Sequence, residues 1–204
     1  MRRFKAYSAG DAARIPSPSM LPILQRRFRA LENSKSAMLD QLSGIPAARL
    51  NERPSANSWS AAELISHVAN VEREVLEAVK HKMAETDEAS IKLRDRVGSL
   101  IVRNVMRAPL RVKVPAEVPG VLPDENANAD QAMAEWQSIR EQWRSFLEHA
   151  RGPQLKSPVF AHPKGAWFTL PETVLFLRLH HDHHRAQIGR IARALSAREP
   201  VCVA

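Results

Sequence analysis

The sequence predicts an all-α protein built as a helical bundle, and three observations predict it. Apolar residues recur at amphipathic-helix spacing over most of the chain, and convincing strand patterns are absent between them. A proline-rich stretch separates the helices of the first half from those of the second, so not all neighbours are joined by short hairpins. The chain has 204 residues, 44% of them hydrophobic, enough for one domain with a real core; we expect residues 1–204 to form one.

Taken in order, residues 1–20 read as a flexible N-terminal segment. Pro22 suits the first turn of a helix running to about Leu42. Its stripe is Leu24, Phe28, Leu31, Met38 and Leu42, with Lys35 standing in that stripe unexplained. Gly44 and Pro46 stop it. A loop leads to a second helix start, where Ser58 or Ser60 is the candidate cap and Glu63, three residues after Ser60, completes a capping box. This helix is expected to reach about Lys82, burying Leu64, Val68, Val71, Val75 and Val79.

A basic helix is expected over 88–107. Pro109, Pro115, Pro119 and Pro123 then make an extended, non-helical crossover, so that 83–123 reads as an insertion and crossover. Asp124 or Asn128 opens the next helix, with Met133, Trp136, Trp143, Phe146, Leu147 and Ala150 as core. Trp136 and Trp143, one heptad apart, fit a buried stripe better than the exposed face through which such a bundle would form a homodimer. Gly152 and Pro153 end that helix, and the last runs from near Pro171 to about Ala197.

Charge and composition narrow the function classes. The formal net charge is +8. Residues 1–35 carry eight Lys or Arg against Asp11 and Glu32, and residues 92–113 carry seven against Asp95 alone. Such patches attract nucleic acid or anionic partners. Few aromatics interleave them for base stacking (Phe4, Tyr7 and Phe28 in the first, none in the second), so we read them as solvated faces and place nucleic acid second to a small-molecule substrate. No apolar run is long enough to cross a bilayer, and the basic N-terminus lacks the apolar stretch of a secretory signal. Cys202 stands alone, which fits a reducing compartment. The expectation is a cytoplasmic protein with no membrane partner.

Eight histidines are present, four of them in the run His180-His181-Asp182-His183-His184. On a helix of about 3.6 residues per turn, His180 and His184 point the same way, a spacing suited to two imidazoles on one ion. Leu177, Ile188, Ile191 and Leu195 define the apolar stripe, with His184 near its centre and His180 on its edge. His181 lies on the other edge and offers a rival i, i+3 pair with His184, while Asp182 and His183 point away, towards the surface. His67 sits at the edge of the second helix's buried stripe. Buried imidazoles need partners, and three from two helices would leave metal positions open, as in a catalytic site. No glutamate is placed as in the zinc-protease HExxH pattern.

Two stretches resemble the DinB/YfiT-like superfamily. NSWSAAELISHVANVERE (57–74) is similar to its tryptophan-serine helix start, glutamate and following histidine. FAHPKGAWFTLPETVLFLRLHHDHHRAQIGRI (160–191) is similar to its His-Pro loop, threonine-led helix, HxxxH pair and Gln-Ile, with Gly165 one position earlier than the pattern has it. With LDQLSGIPAARL before them, these cover roughly a third of the chain.

The resemblance implies a four-helix bundle with a long crossover connection, to which the predicted basic helix is extra. It also implies a metal on His67, His180 and His184, choosing His180 over His181, and it places His162 near the pocket without making it a ligand. Characterised members include metal-dependent transferases using a low-molecular-weight thiol, and others are read as hydrolases. The expected cofactor is a divalent ion (zinc, nickel or iron). Glu63, Glu74 and Gln187 are candidates for proton or ligand handling, although Glu63 also suits a cap and Glu74 a solvated face. A non-catalytic stress-response or nucleic-acid-binding protein is the alternative from another class. A metal kept only as a structural bolt is a third reading.

Overall fold

The computed structural model describes residues 19–84, 119–124, 126–163 and 165–197. They contain four long helices, α1 (Pro22–Leu39), α2 (Ala61–Ala84), α3 (Ala129–Glu148) and α4 (Leu170–Ser196). A strand pair, β1 (Pro158–His162) and β2 (Ala166–Thr169), precedes α4. α1 packs along α4 and α2 along α3, and α2 also meets α4. The result is the expected four-helix bundle. The N-terminal segment 1–18, the predicted basic helix and most of the proline-rich crossover lie outside the described residues.

Local chemistry sets the helix starts. Ser60, not Ser58, caps α2. The Glu63 amide donates to Ser60 Oγ at 3.0 Å and the Ser60 amide donates to Glu63 Oε2 at 2.7 Å, the reciprocal pair of a capping box. Ser58 Oγ instead accepts from the Ser55 amide. Asn128, not Asp124, caps α3, its side chain accepting from the amides of Asp130 and Gln131. Thr169 and Glu172 form a second capping box at α4, with Pro171 in the first turn. At the other end of α1, the expected run to Leu42 tightens into a single 3₁₀ turn over Asp40–Leu42.

Two expectations need correction. The stretch read as strand-free holds an antiparallel hairpin, with Phe160 paired to Phe168 and His162 to Ala166. The Gly165 amide donates to the His162 carbonyl at 2.8 Å, and Gly165 has φ of +80°, a left-handed conformation that a residue with a Cβ adopts at a cost. Strands of five and four residues do not stand alone in water; this pair is held by packing on α2 and α4. The described end of the crossover, expected to be extended, makes a 3₁₀ turn at Pro119–Val121 that lies on α2.

The core joins Leu24, Leu31 and Met38 of α1 to Leu64, Val68, Leu76 and Val79 of α2. It continues through Trp136, Trp143 and Leu147 of α3 to Val174, Leu177, Ile188 and Leu195 of α4. Both tryptophans are fully buried, so they are core in this chain. Lys35 is buried as well: its Nζ donates to Gln137 Oε1 at 2.8 Å and lies 5.0 Å from the centre of the Trp136 ring. Burial, reinforced by nearby Arg140, pushes its pKa down.

Candidate metal centre

Helix α4 turns His180 and His184 to the same side, where α2 presents His67. One ring nitrogen from each of the three lies within 4.8 Å of the others, and all three residues are buried. The Nε2 atoms of His180 and His184 are 3.2 Å apart. The His67 ring centre stands 5.3 Å from that of His180 and 4.9 Å from that of His184. Edge-to-face angles of 60° and 76° turn the rings' edges towards one another instead of stacking them.

Two of the rings are held from behind. His67 Nδ1 donates to the Val121 carbonyl at 2.5 Å, and His184 Nδ1 donates to Gln187 Oε1 at 2.9 Å. Each bond commits the ring proton to Nδ1 and leaves Nε2 with a free lone pair, as metal-ligating histidines are held in general. His67 Nε2 is buried with no hydrogen-bond partner among the described residues. Lone pairs in this arrangement require a shared proton or a cation between them, and the donor set fits a divalent ion.

Electrostatics favour neutral rings. Burial, then the neighbouring imidazoles, hold His180 well below its ordinary pKa. Burial and the His67 ring bring His184 down to about 3. Burial lowers His67 too, against the Val121 hydrogen bond, which raises it. Neutral imidazole is the form that ligates metal.

The remaining candidates are dispersed. Gln187 is at the centre, on His184. Glu63 is buried under the α2 cap, where Arg53 Nε donates to its two carboxylate oxygens at 3.1 and 2.9 Å. Burial pushes the Glu63 pKa up, but the Arg53 and Ser60 hydrogen bonds outweigh it and hold the carboxyl below the usual range. Glu63 lines a polar cleft of about 300 Å³ with Asn51, Arg53, Ser60 and Asn128, and none of the three histidines lines that cleft. Glu74 is exposed, its carboxylate against Gly120. His162 packs edge-on to Phe176 at 5.3 Å, and Phe176 in turn lies 6.3 Å from His180. His183 is half-buried, edge-on to His184 at 5.2 Å. Asp182, expected on the surface, is also half-buried, accepting from Ser34 Oγ at 3.0 Å and pairing with Arg178 at 3.0 Å.

The rival ligand His181 belongs to a different cluster. It is fully buried and its Nε2 donates to Glu72 Oε1 at 2.8 Å. The same oxygen accepts from Trp136 Nε1 and Arg140 Nη2, both at 2.6 Å, and Trp143 Nε1 donates to the Glu72 carbonyl at 3.2 Å. Arg140 also pairs with Glu32 of α1 at 3.0 Å. Burial opposes the Glu72 charge, but Arg140 and His181 outweigh it and bring the carboxyl down to about 2.

Sequence reasoning missed this cluster, though a signal was present. Glu72 falls four residues after Val68 and three before Val75, and Arg140 falls between Trp136 and Trp143. Each charge is in phase with an apolar stripe, and their signs are opposite. It also missed Trp59, whose half-buried ring stands 5.1 Å from His67, and the Val121 carbonyl, which carries no side-chain signal at all.

Comparison with known proteins agrees with the fold. Residues 30–188 match the model of the DinB superfamily. The uncharacterized protein YuaE of Bacillus subtilis (strain 168) is 21% identical over 152 residues, 74% of this chain and 88% of that protein. Among solved structures, YfiT from Bacillus subtilis is similar, with a TM-score of 0.56 and 16% identity over 89% of this chain and 93% of YfiT. YfiT is described as a probable metal-dependent hydrolase with an unusual four-helix bundle topology. Among the described residues, no helix is long and apolar enough to cross a membrane.

Proposed function

We propose that this chain, which belongs to the DinB superfamily, is a metal-dependent enzyme holding one divalent ion on His67, His180 and His184 and acting on a small molecule. One observation carries the reading: three buried imidazoles from two helices bring one ring nitrogen each within 4.8 Å of the others, two of them with a ring proton tied back at Nδ1. Three protein ligands leave coordination room, as catalytic sites do and closed structural sites do not.

The bound ion would act as a Lewis acid towards a water, giving hydrolysis, or towards a low-molecular-weight thiol, giving thiol transfer. The protein's own part is to keep the rings neutral by burial, to hold the His184 proton at Nδ1 through Gln187 and the His67 proton at Nδ1 through Val121. YfiT's description supports the hydrolytic branch. Zinc, nickel and iron all suit imidazole ligands, and the metal the cell supplies decides among them.

Metal analysis of protein purified without a nickel column tests the reading. We expect about one equivalent of metal, or its uptake on adding zinc, nickel or manganese, and loss of binding in His184→Ala. Absence of both bound metal and uptake would overturn the proposal. With metal present, incubation with ester or amide substrates, with and without a thiol, separates the two branches by product mass.

A further inference from the structure

We infer that residues 120–124 form a positioning strap for His67, and that docking of this strap on α2 and metal binding stabilise one another. The inference rests on the metal reading above. It concerns the one ligand that α4 does not supply: His180 and His184 share a helix, so their relative placement follows from helix geometry. The Nδ1 proton of His67 is held from outside α2, by the Val121 carbonyl.

Four positions on one side of α2 receive the strap. Ser66 Oγ donates to Asp124 Oδ2 at 2.9 Å and accepts from the Asp124 amide at 3.3 Å. His67 meets the Val121 carbonyl, and Asn70 Nδ2 donates to the Leu122 carbonyl at 2.9 Å. At Gly120 the backbone runs so close to Glu74 that an added Cβ would come within 2.9 Å of Glu74 Cδ. Ser66, His67 and Asn70 are all buried, and strap hydrogen bonds replace the water they have lost.

Asn70 is the side chain that reads the docked state. Its Oδ1 accepts from Arg73 Nη1 at 2.7 Å, and Arg73 Nη2 pairs with Glu135 of α3 at 3.3 Å. That bond turns the Asn70 amide group towards the strap. A docked strap keeps the His67 proton on Nδ1 and its Nε2 free for metal. Linkage requires the converse: an ion drawing on the Nε2 lone pair strengthens the Nδ1–H bond to Val121 and so the docking.

The test uses the full chain with zinc as probe. Asn70→Asp is close in shape and keeps an acceptor for Arg73, but it replaces the donor with an oxygen facing the Leu122 carbonyl. We expect its zinc affinity, measured by chelator competition, to fall by about 10-fold or more. We also expect zinc to slow amide hydrogen exchange at 121, 122 and 124 in the wild type. In the metal-free protein, imidazole ¹⁵N shifts should report His67 protonated at Nδ1 in the wild type and a mixture of tautomers in the variant.

Unchanged affinity together with unchanged exchange would overturn the inference. If the wild type takes up no zinc, the metal reading fails and the strap is judged on the tautomer alone: retention of pure Nδ1–H in Asn70→Asp would refute it. Should Asn70→Asp not fold, Ser66→Ala removes the two hydrogen bonds that Ser66 shares with Asp124 of the strap, and unchanged zinc affinity in that variant would overturn the inference.

Discussion

Helix α4 carries two buried polar clusters that differ in charge: one is built of neutral rings, the other around an ion pair. On one side His180 and His184 meet His67 with their ring nitrogens converging and no protein donor among the described residues to quench the His67 Nε2. On the other side His181 joins Glu72, Arg140 and Trp136, where one carboxylate oxygen accepts three hydrogen bonds and opposite charges balance. Neighbours in sequence, His180 and His181 thus belong to different chemistries. A buried cluster whose opposite charges pair within the protein locks helices together, whereas ring nitrogens that face only one another are available to a ligand.

Breaking the closed cluster should produce the largest change in stability. Arg140→Met leaves the fully buried Glu72 carboxylate without its guanidinium, and removing one partner of a buried ion pair costs about 3–5 kcal/mol. Urea denaturation of the metal-free protein measures it. In the same assay His180→Ala should abolish zinc binding yet shift the midpoint far less. If the two variants changed places, with His180→Ala the more unstable and Arg140→Met nearly neutral, the contrast between the clusters would be wrong.

Acid should separate them next. His184 has a folded pKa depressed to about 3, so below its unfolded value of about 6.5 the unfolded chain binds a proton that the metal-free fold excludes. Its stability contribution is present above that pH and declines as pH falls, by up to about 1.4 kcal/mol per pH unit. Glu72, depressed to about 2, begins to lose its contribution only below its ordinary value of about 4.5. Urea midpoints across pH should therefore show a shallower decline between about 6 and 5 in His184→Ala. Glu72→Gln should remove the part of the decline that lies below about 4.5. A decline in His184→Ala identical to wild type would refute the assignment of that limb.

The smallest effect is expected at the edge of the closed cluster. Lys35 is buried, but its hydrogen-bond partner is the neutral Gln137. Lys35→Met loses that bond and the contact with Trp136 but relieves the burial of a charge, so its midpoint should move by less than about 1 kcal/mol. A loss of several kcal/mol would make Lys35 a full member of the charge network.

Much of this was legible along the chain. The phase of Leu64, Val68, Val71, Val75 and Val79 gave α2 its buried side, Ser60 and Glu63 gave its start, and the same reasoning set α4 and placed His67, His180 and His184 at or near buried stripes. Those features depend on residues within one or two helical turns, where periodicity and capping act. Phase alone left His180 and His181 equivalent, because both sit at edges of one stripe and the partner helix decides which edge faces what. Tertiary structure made that decision by placing Glu72 and Arg140 opposite His181 and His67 opposite His180. It also formed the short hairpin, which needs α2 and α4 to cover it, and it placed a backbone carbonyl from the crossover on His67. Contacts between residues as distant as Glu72 and His181, or His67 and Val121, come from how the helices pack and where the chain crosses back, and a carbonyl leaves no mark in the side-chain pattern.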